Sequence, residues 1–188
     1  MGRTYKTEGI ILKRLNFGEA DKILTIYTKH YGKISALARG IRKTTSRKGG
    51  NLELFNLATL FLVKGKNLDI ITEAQVKNSF DTLKKDLKKV YLAYHLCELV
   101  DKLTAENQQN RHVFDLFVKT MTNLSLNGAE VFKDSIINFE LSLLKILGFG
   151  VPKNKTEESI RFFLENIIEK KLKTRKIFEK LKIKSFNE

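Results

Sequence analysis

The feature that most constrains this chain is a change of hydrophobic period. Up to about residue 76 apolar side chains alternate every second position; from Leu83 they recur every third or fourth. Successive strand side chains point to opposite faces, whereas a helix returns to the same face after three or four residues. The chain therefore divides into a β part followed by an α part, with the boundary expected between residues 78 and 82.

In the β part, residues 5–14 put Ile10 and Leu12 on one face and Gly9, Ile11 and Lys13 on the other. Residues 22–28 are rich in β-branched side chains (Ile23, Thr25, Ile26, Thr28). The polar turn Lys29-His30-Tyr31-Gly32-Lys33 leads from them into residues 34–39, a hairpin signal. Residues 52–63 form a longer strand candidate with a break near Asn56, and Lys64-Gly65-Lys66-Asn67 turns it into residues 68–75. Five short strands, with a glycine in the first that permits coiling, fit a small closed barrel such as an OB-fold better than an open sheet with exposed edges.

In the α part, Leu83, Leu87, Val90, Tyr94 and Cys97 make one stripe and Leu92, Leu96, Leu99 and Leu103 a second, as expected of a central helix. Asn110 is placed to cap a second helix carrying Val113, Phe114, Phe117, Val118, Met121 and Leu124. A third, from about Ala129, carries Phe132, Ile136, Phe139, Leu143 and Ile146 and ends at Gly148, Gly150 and Pro152. Thr156, with Glu157 and Glu158 behind it, reads as the N-cap of a fourth helix bearing Ile160, Phe163, Leu164, Ile167 and Ile168. A basic tail, helical around Ile177, Phe178 and Leu181, follows. The expected organisation is α+β in two modules: a five-stranded barrel over 1–79 and a helical domain over 80–188.

With 42% hydrophobic and 30% charged residues among 188, this is the composition of a folded chain. The apolar run 57–63 is far short of the roughly 20 residues of a membrane span, and the opening residues Arg3, Thr4 and Lys6 are polar. Neither a signal peptide nor a membrane helix is expected. Cys97 is the only cysteine, which excludes a disulfide within the chain and a cysteine-based zinc site, and agrees with a reducing compartment, the cytoplasm.

Charge is unevenly placed. Residues 1–80 hold 15 Lys/Arg against 6 Asp/Glu, residues 81–150 hold 9 of each, and residues 151–188 hold 11 against 6, giving the total of +14. A basic barrel, a neutral middle and a basic tail suggest surfaces that meet an anionic polymer.

Motifs for chemistry are missing. The position five residues before Gly32-Lys33 is Tyr27 rather than glycine and the next residue is Ile34, which excludes a P-loop there. His95 and Cys97, two apart on an apolar helix, point in different directions and read as packed or satisfied core residues. Glu98 and Asp101 share a helix face without a histidine to complete a metal site, and His30 and His112 lack a nucleophile at recognisable spacing. No catalytic residue, cofactor or metal is expected. The competing enzyme reading is a nuclease that gathers Glu8, Glu19, Asp21 and Glu53 around magnesium.

The strongest functional signal is the segment 39–50, Arg-Gly-Ile-Arg-Lys-Thr-Thr-Ser-Arg-Lys-Gly-Gly, with five cations (Arg39, Arg42, Lys43, Arg47, Lys48) and no acid. Cations and hydroxyls bond phosphate, and glycine lets backbone approach backbone, so such a loop suits a phosphodiester chain without demanding a base sequence. A solvated loop that only aids solubility is the bland alternative; the excess charge of the surrounding barrel argues against it. Tyr5, Phe17, Tyr27, Tyr31 and Phe55 are the aromatic side chains available for base stacking.

These residues resemble a known family. Glu8-Gly9-Ile10-Ile11-Leu12, Phe17-Gly18-Glu19-Ala20-Asp21-Lys22, Gly32, and Ala36 through Lys43 are similar to the N-terminal signature of the bacterial RecO family. Phe139-Glu140-Leu141 with Leu144, Leu147 and Gly148, and Leu172 through Phe178, resemble its later segments, so the likeness covers nearly the whole chain. The resemblance implies an OB-fold and a helical domain. It further implies binding of single- and double-stranded DNA, annealing of complementary strands, and help in RecA loading together with RecR. It implies docking on the acidic C-terminal tail of single-stranded-DNA-binding protein. A cysteine cluster common in relatives is absent, so structural zinc is not carried over.

Arg39, Arg42 and Lys43 stand in the matching block as the implied DNA face; charge and position add Arg14, Lys22, Arg47 and Lys48. Ile167, Lys170, Lys171, Lys173, Arg175, Lys176 and Phe178 combine cations with apolar side chains, as an acidic, apolar-ended peptide would require, or else extend the DNA surface. An RNA-binding OB protein of ribosome assembly or translation is the alternative that shares the barrel and its basic loop.

Overall fold

The computed structural model describes residues 4–46, 48–126 and 132–174. Five strands, β1 (Thr4–Phe17), β2 (Asp21–Thr28), β3 (Gly32–Ala38), β4 (Leu57–Val63) and β5 (Asp69–Asn78), close into a barrel in the order β1-β2-β3-β5-β4. All neighbours are antiparallel except β3 and β5, which meet in a short parallel pairing of Ala36 with Asp69 and Leu37 with Ile70.

The long strand β1 makes closure possible by serving two neighbours. Thr4 to Ile10 pair with β4, Gly9 to Phe17 pair with β2, and Gly9 and Ile10 pair with both. A strand shared in this way has to coil, and at Gly9 a β-carbon would lie 2.6 Å from Ile26 Cγ2. Glycine is therefore required by close packing at the coil. A bulge between Ile11 and Lys13 shifts the register there. The simple alternation expected over 5–14 therefore fails at Leu12: Ile11 enters the core, and beyond the bulge Arg14 and Asn16 share the inward side, paired with Leu24 and Lys22.

The break expected near Asn56 is present and has a cause. Its side-chain amide donates to the carbonyls of Gly50 (2.9 Å) and Asn51 (3.2 Å), so the chain before it forms a single 3-10 turn, Gly50–Leu52, and β4 begins at Leu57. The barrel interior is filled by Ile11, Leu24, Ile26, Ile34, Ala36, Ala38, Ala58, Leu60, Leu62 and Ile71, joined by Ile41 and Leu52. Each fully buried Leu or Ile stabilises the fold by about 1.5–3 kcal/mol.

The first compact unit combines Met1–Phe80 with Thr104–Phe114. That returning segment lies along β3, where Asn107 N–H donates to the Lys33 carbonyl (2.8 Å). It also meets the outward side of β2, where the Tyr27 hydroxyl donates to the Asn110 carbonyl (3.3 Å). Tyr27 is fully buried, and burial pushes its phenol up to about 12. Gly32 adopts φ +64°, and a β-carbon there would come within 2.0 Å of the Gln108 carbonyl oxygen, so only glycine fits the β2–β3 turn.

The second unit comprises Asp81–Leu103 and Asp115–Glu188. It contains α1 (Asp81–Lys84), α2 (Leu87–Leu103), most of α3 (Arg111–Leu126), α4 (Phe132–Leu147) and α5 (Glu157–Ile168). The expected caps are in place: Asn110 Oδ1 accepts the Val113 amide at 3.1 Å and Thr156 Oγ1 that of Ser159 at 3.3 Å. His95 is a satisfied core residue, its Nε2 at 2.8 Å from Glu140 Oε1 and its Nδ1 at 3.3 Å from Thr174 Oγ1, and Cys97 is buried. Ala129, and the tail residues Ile177, Phe178 and Leu181, lie outside the described residues. Among the described residues no helix is long and apolar enough to cross a membrane.

Replacing Gly9 by alanine forces a methyl group against Ile26, so Gly9→Ala is expected to lower the unfolding free energy by about 1–3 kcal/mol in urea titration. An unchanged midpoint would show that barrel closure does not depend on that contact.

Candidate nucleic-acid interface

The basic segment 39–50 is folded onto the barrel. Ile41 and Leu52 are buried in the barrel core, so an apolar side chain anchors the segment near each end. The Gly40 amide donates to Asp21 Oδ1 (2.7 Å) and the Arg42 amide to the Ala20 carbonyl (2.9 Å), which fixes the segment against the β1–β2 turn. Two internal turns follow, Lys43 N–H to Gly40 O (3.2 Å) and Ser46 N–H to Lys43 O (2.9 Å). Gly40 takes φ +65°, which only glycine adopts without strain.

Arg39, Arg42 and Lys43 are exposed, as are Thr44 and Thr45. Arg42 is further oriented by donation from Nη1 to the Gly18 carbonyl at 3.2 Å. Lys48 is half-buried and donates its ammonium to the Ile71 carbonyl (3.2 Å), so it ties the segment to β5. Arg47 lies outside the described residues.

Arg14 and Lys22 extend the positive region. Arg14 forms an ion pair with Glu53, while Lys22 Nζ donates to Asn16 Oδ1 at 2.7 Å. Lys22 is held below the ordinary lysine range by desolvation first and then by repulsion from Arg14 and Arg42, with Glu53 opposing. Arg14 and Arg42 thus both bear on the charge of Lys22.

Of the five candidate aromatic side chains only Phe17 is well exposed, at 51%. Tyr27 and Phe55 are buried, which removes them as stacking platforms. Tyr5 and Tyr31 are half-buried and pack on each other, centroids 4.5 Å apart, with the Lys64 ammonium 4.8 Å from the Tyr5 ring. Tyr5 also donates to Asp69; burial, then this bond, raises its phenol well above the ordinary range.

A feature not singled out from the sequence lies beside Phe17. Cross-strand pairing places Leu15, Ile23, Leu37 and Ile70 in one row across β1, β2, β3 and β5. The row is outward, because the neighbouring positions Leu24 and Ala36 fill the core. Leu15 is 64% exposed and the other three are half-buried. The sequence signal was the alternation itself; the strand register needed to assemble the row was not available from it.

Three of the four carboxylates of the nuclease alternative are engaged otherwise. Asp21 accepts the Gly40 amide, Glu53 pairs with Arg14, and Glu8 pairs with Lys77 and Lys29; Glu19 is exposed. The hydrogen bond from Lys77 outweighs burial, which acts in the opposite direction, and holds the Glu8 carboxyl below its usual range. Among the described residues no three His, Cys, Asp or Glu side chains converge as a metal site would require. Glu98 does not meet Asp101 at a metal but accepts the amides of Lys173 (2.7 Å) and Thr174 (2.9 Å).

In the helical unit, Ile167 is half-buried and Lys170, Lys171 and Lys173 are exposed. Leu172 between them is buried and donates its amide to Glu165 Oε1 at 3.2 Å. Arg175, Lys176 and Phe178 lie outside the described residues.

A closed five-stranded barrel of this strand order, with a docked basic loop at its rim, is a barrel of the OB class, here followed by helices. Residues 1–80 match the family Recombination protein O N terminal and residues 84–155 match Recombination protein O C terminal. The chain belongs to the RecO family. It is 38% identical over 147 residues to the DNA repair protein RecO of Roseiflexus sp., covering 78% of this chain and 51% of that protein. It is 33% identical to the RecO of Pelotomaculum thermopropionicum (78% and 56% covered) and 40% identical to that of Acaryochloris marina (66% and 42%). The chain spans about half the length of these curated relatives.

The two kinds of lysine in the loop should separate in a denaturation experiment. Lys48→Ala removes a bond to a β5 carbonyl and is expected to cost about 0.5–1.5 kcal/mol, whereas exposed Lys43→Ala stays within about 0.5 kcal/mol of the parent. Equal costs would contradict the assignment of Lys48 as a structural tie.

Proposed function

We propose that this protein is a DNA-binding recombination mediator in DNA repair, acting by binding alone. The observation that supports it most is the docked loop, which presents Arg39, Arg42 and Lys43 to solvent close to the β1–β2 turn that follows Phe17. Cations there neutralise phosphates irrespective of sequence, and Phe17 with the Leu15–Ile23–Leu37–Ile70 row offers apolar surface to base faces. Such a surface accepts single strands through both terms and duplex DNA through phosphate contact only.

Strand annealing follows from the same physics. Two complementary strands repel through their phosphates; a cationic surface that cancels the repulsion and reads no base edges leaves those edges free to pair. Membership of the RecO family supports the finer reading: annealing of complementary strands and help, with RecR, in loading RecA on DNA coated by single-stranded-DNA-binding protein. That protein's acidic C-terminal tail would meet the exposed Lys170, Lys171 and Lys173 beside Ile167.

Binding of a labelled oligonucleotide across a salt series tests the phosphate contacts. Substituting Arg39, Arg42 and Lys43 together is expected to flatten the slope of log K against log salt by about 0.7 per residue on single strands and about 0.9 on duplex. An unchanged slope removes the loop from the interface. Phe17→Ala is expected to weaken single-strand binding by about 1–3 kcal/mol and leave duplex affinity unaltered. An equal loss on both would deny Phe17 a stacking role. Matched RNA that competes better than DNA would favour the ribosome or translation alternative.

A further inference from the structure

At the rim of the barrel the Glu53 carboxylate is paired with a cation of β1. Beyond the β1 bulge, Arg14 lies on the inward side of the strand, paired with Leu24, and only 20% of its side chain is exposed. Its Nη1 is ion-paired with Glu53, and its Nε is buried without a hydrogen-bond partner. Arg42 is oriented by the Gly18 carbonyl, and Lys22, bonded to Asn16, is close enough to both arginines to feel their charge. Asp21 is engaged by the Gly40 amide and Glu19 is exposed, so Glu53 is the carboxylate that pairs with Arg14, and a buried guanidinium N–H with no acceptor adds to the demand for an anion.

The two members of the ion pair are not equally free. Arg14 is carried by a paired strand and is largely covered, so it cannot leave. The Glu53 side chain is 46% exposed and follows the 3-10 turn, with its backbone carbonyl held by the Asn56 amide at 3.2 Å. A rotation of the Glu53 side chain into water would therefore free the guanidinium without disturbing the backbone. Phosphodiester oxygens offer arginine the same acceptor geometry as a carboxylate.

We propose that Glu53 is a displaceable internal counter-ion, which holds Arg14 in the free protein and yields it to a phosphate of bound nucleic acid, so that it sets how strongly the rim binds. This rests on the reading that the basic rim binds nucleic acid. Glu53 then raises the threshold for binding: a single stray phosphate does not displace it, whereas a strand that also engages Arg39, Arg42 and Lys43 does.

The test compares the full chain with Glu53→Gln and with Glu19→Gln, which removes an equal charge from an exposed neighbour without touching Arg14. Each is titrated against a fluorescently labelled single-stranded oligonucleotide over a salt series, after thermal unfolding has shown that all three are folded. E53Q is expected to bind about fivefold more tightly than the parent at low salt, as losing one competing, partly exposed ion pair would give. Its salt slope is expected to match the parent's, because once the strand is bound Arg14 meets the same phosphate in both. The gain of E19Q should be smaller, and Arg14→Gln should abolish the gain from E53Q. If E53Q binds no better than E19Q, or more weakly than the parent, displacement is overturned and Glu53 only positions Arg14. If the parent shows no salt-dependent binding, the reading of the rim itself fails. Should E53Q not fold, Glu53→Asp replaces it: the shorter side chain pairs less well with Arg14, so tighter binding than the parent supports displacement and weaker binding overturns it.

Discussion

Burial of Ile41 and Leu52 in the barrel core is the interaction on which the candidate interface depends. A segment with five cations and no acid repels itself, and in solution it would spread rather than hold a shape. Two fully apolar anchors, together worth several kcal/mol of burial, oppose that repulsion and return both ends of the segment to the barrel. The charge then becomes a fixed surface rather than a diffuse cloud, and Arg39, Arg42 and Lys43 occupy defined places on it.

The barrel has in turn to be closed for its core to receive those anchors. Closure runs through β1, which coils at Gly9 to reach both β2 and β4, and through the short parallel pairing of β3 with β5. The bulge after Ile11 has a consequence at the rim: it sends Arg14 and Asn16 to the inward side and Leu15 and Phe17 outward. One irregularity in one strand thus places a largely covered cation on one side of the sheet and a partly exposed apolar row on the other.

Much of this was legible in the residues. Five strands, the barrel, the helix caps at Asn110 and Thr156 and the buried His95 all follow from period, turn chemistry and capping, which act over a few neighbours. What was not legible depends on partners distant in sequence. Tyr27 and Phe55 looked available for stacking, yet both are buried: the Tyr27 hydroxyl reaches the distant Asn110 carbonyl, and the Phe55 amide is tied to the Ile11 carbonyl of β1. Lys48 looked equivalent to Lys43, yet the Ile71 carbonyl makes it structural. Glu53 looked like one more scattered acid until β1 brought Arg14 against it.

Backbone amide chemical-shift mapping during titration with a short single-stranded DNA tests most directly whether a pinned cationic rim is the binding surface. The largest shifts are expected at residues 14–22 and 39–46, and along the outward row at Ile23 and Leu37. Shifts confined to the helical unit, with the rim unmoved at low ionic strength, would contradict it.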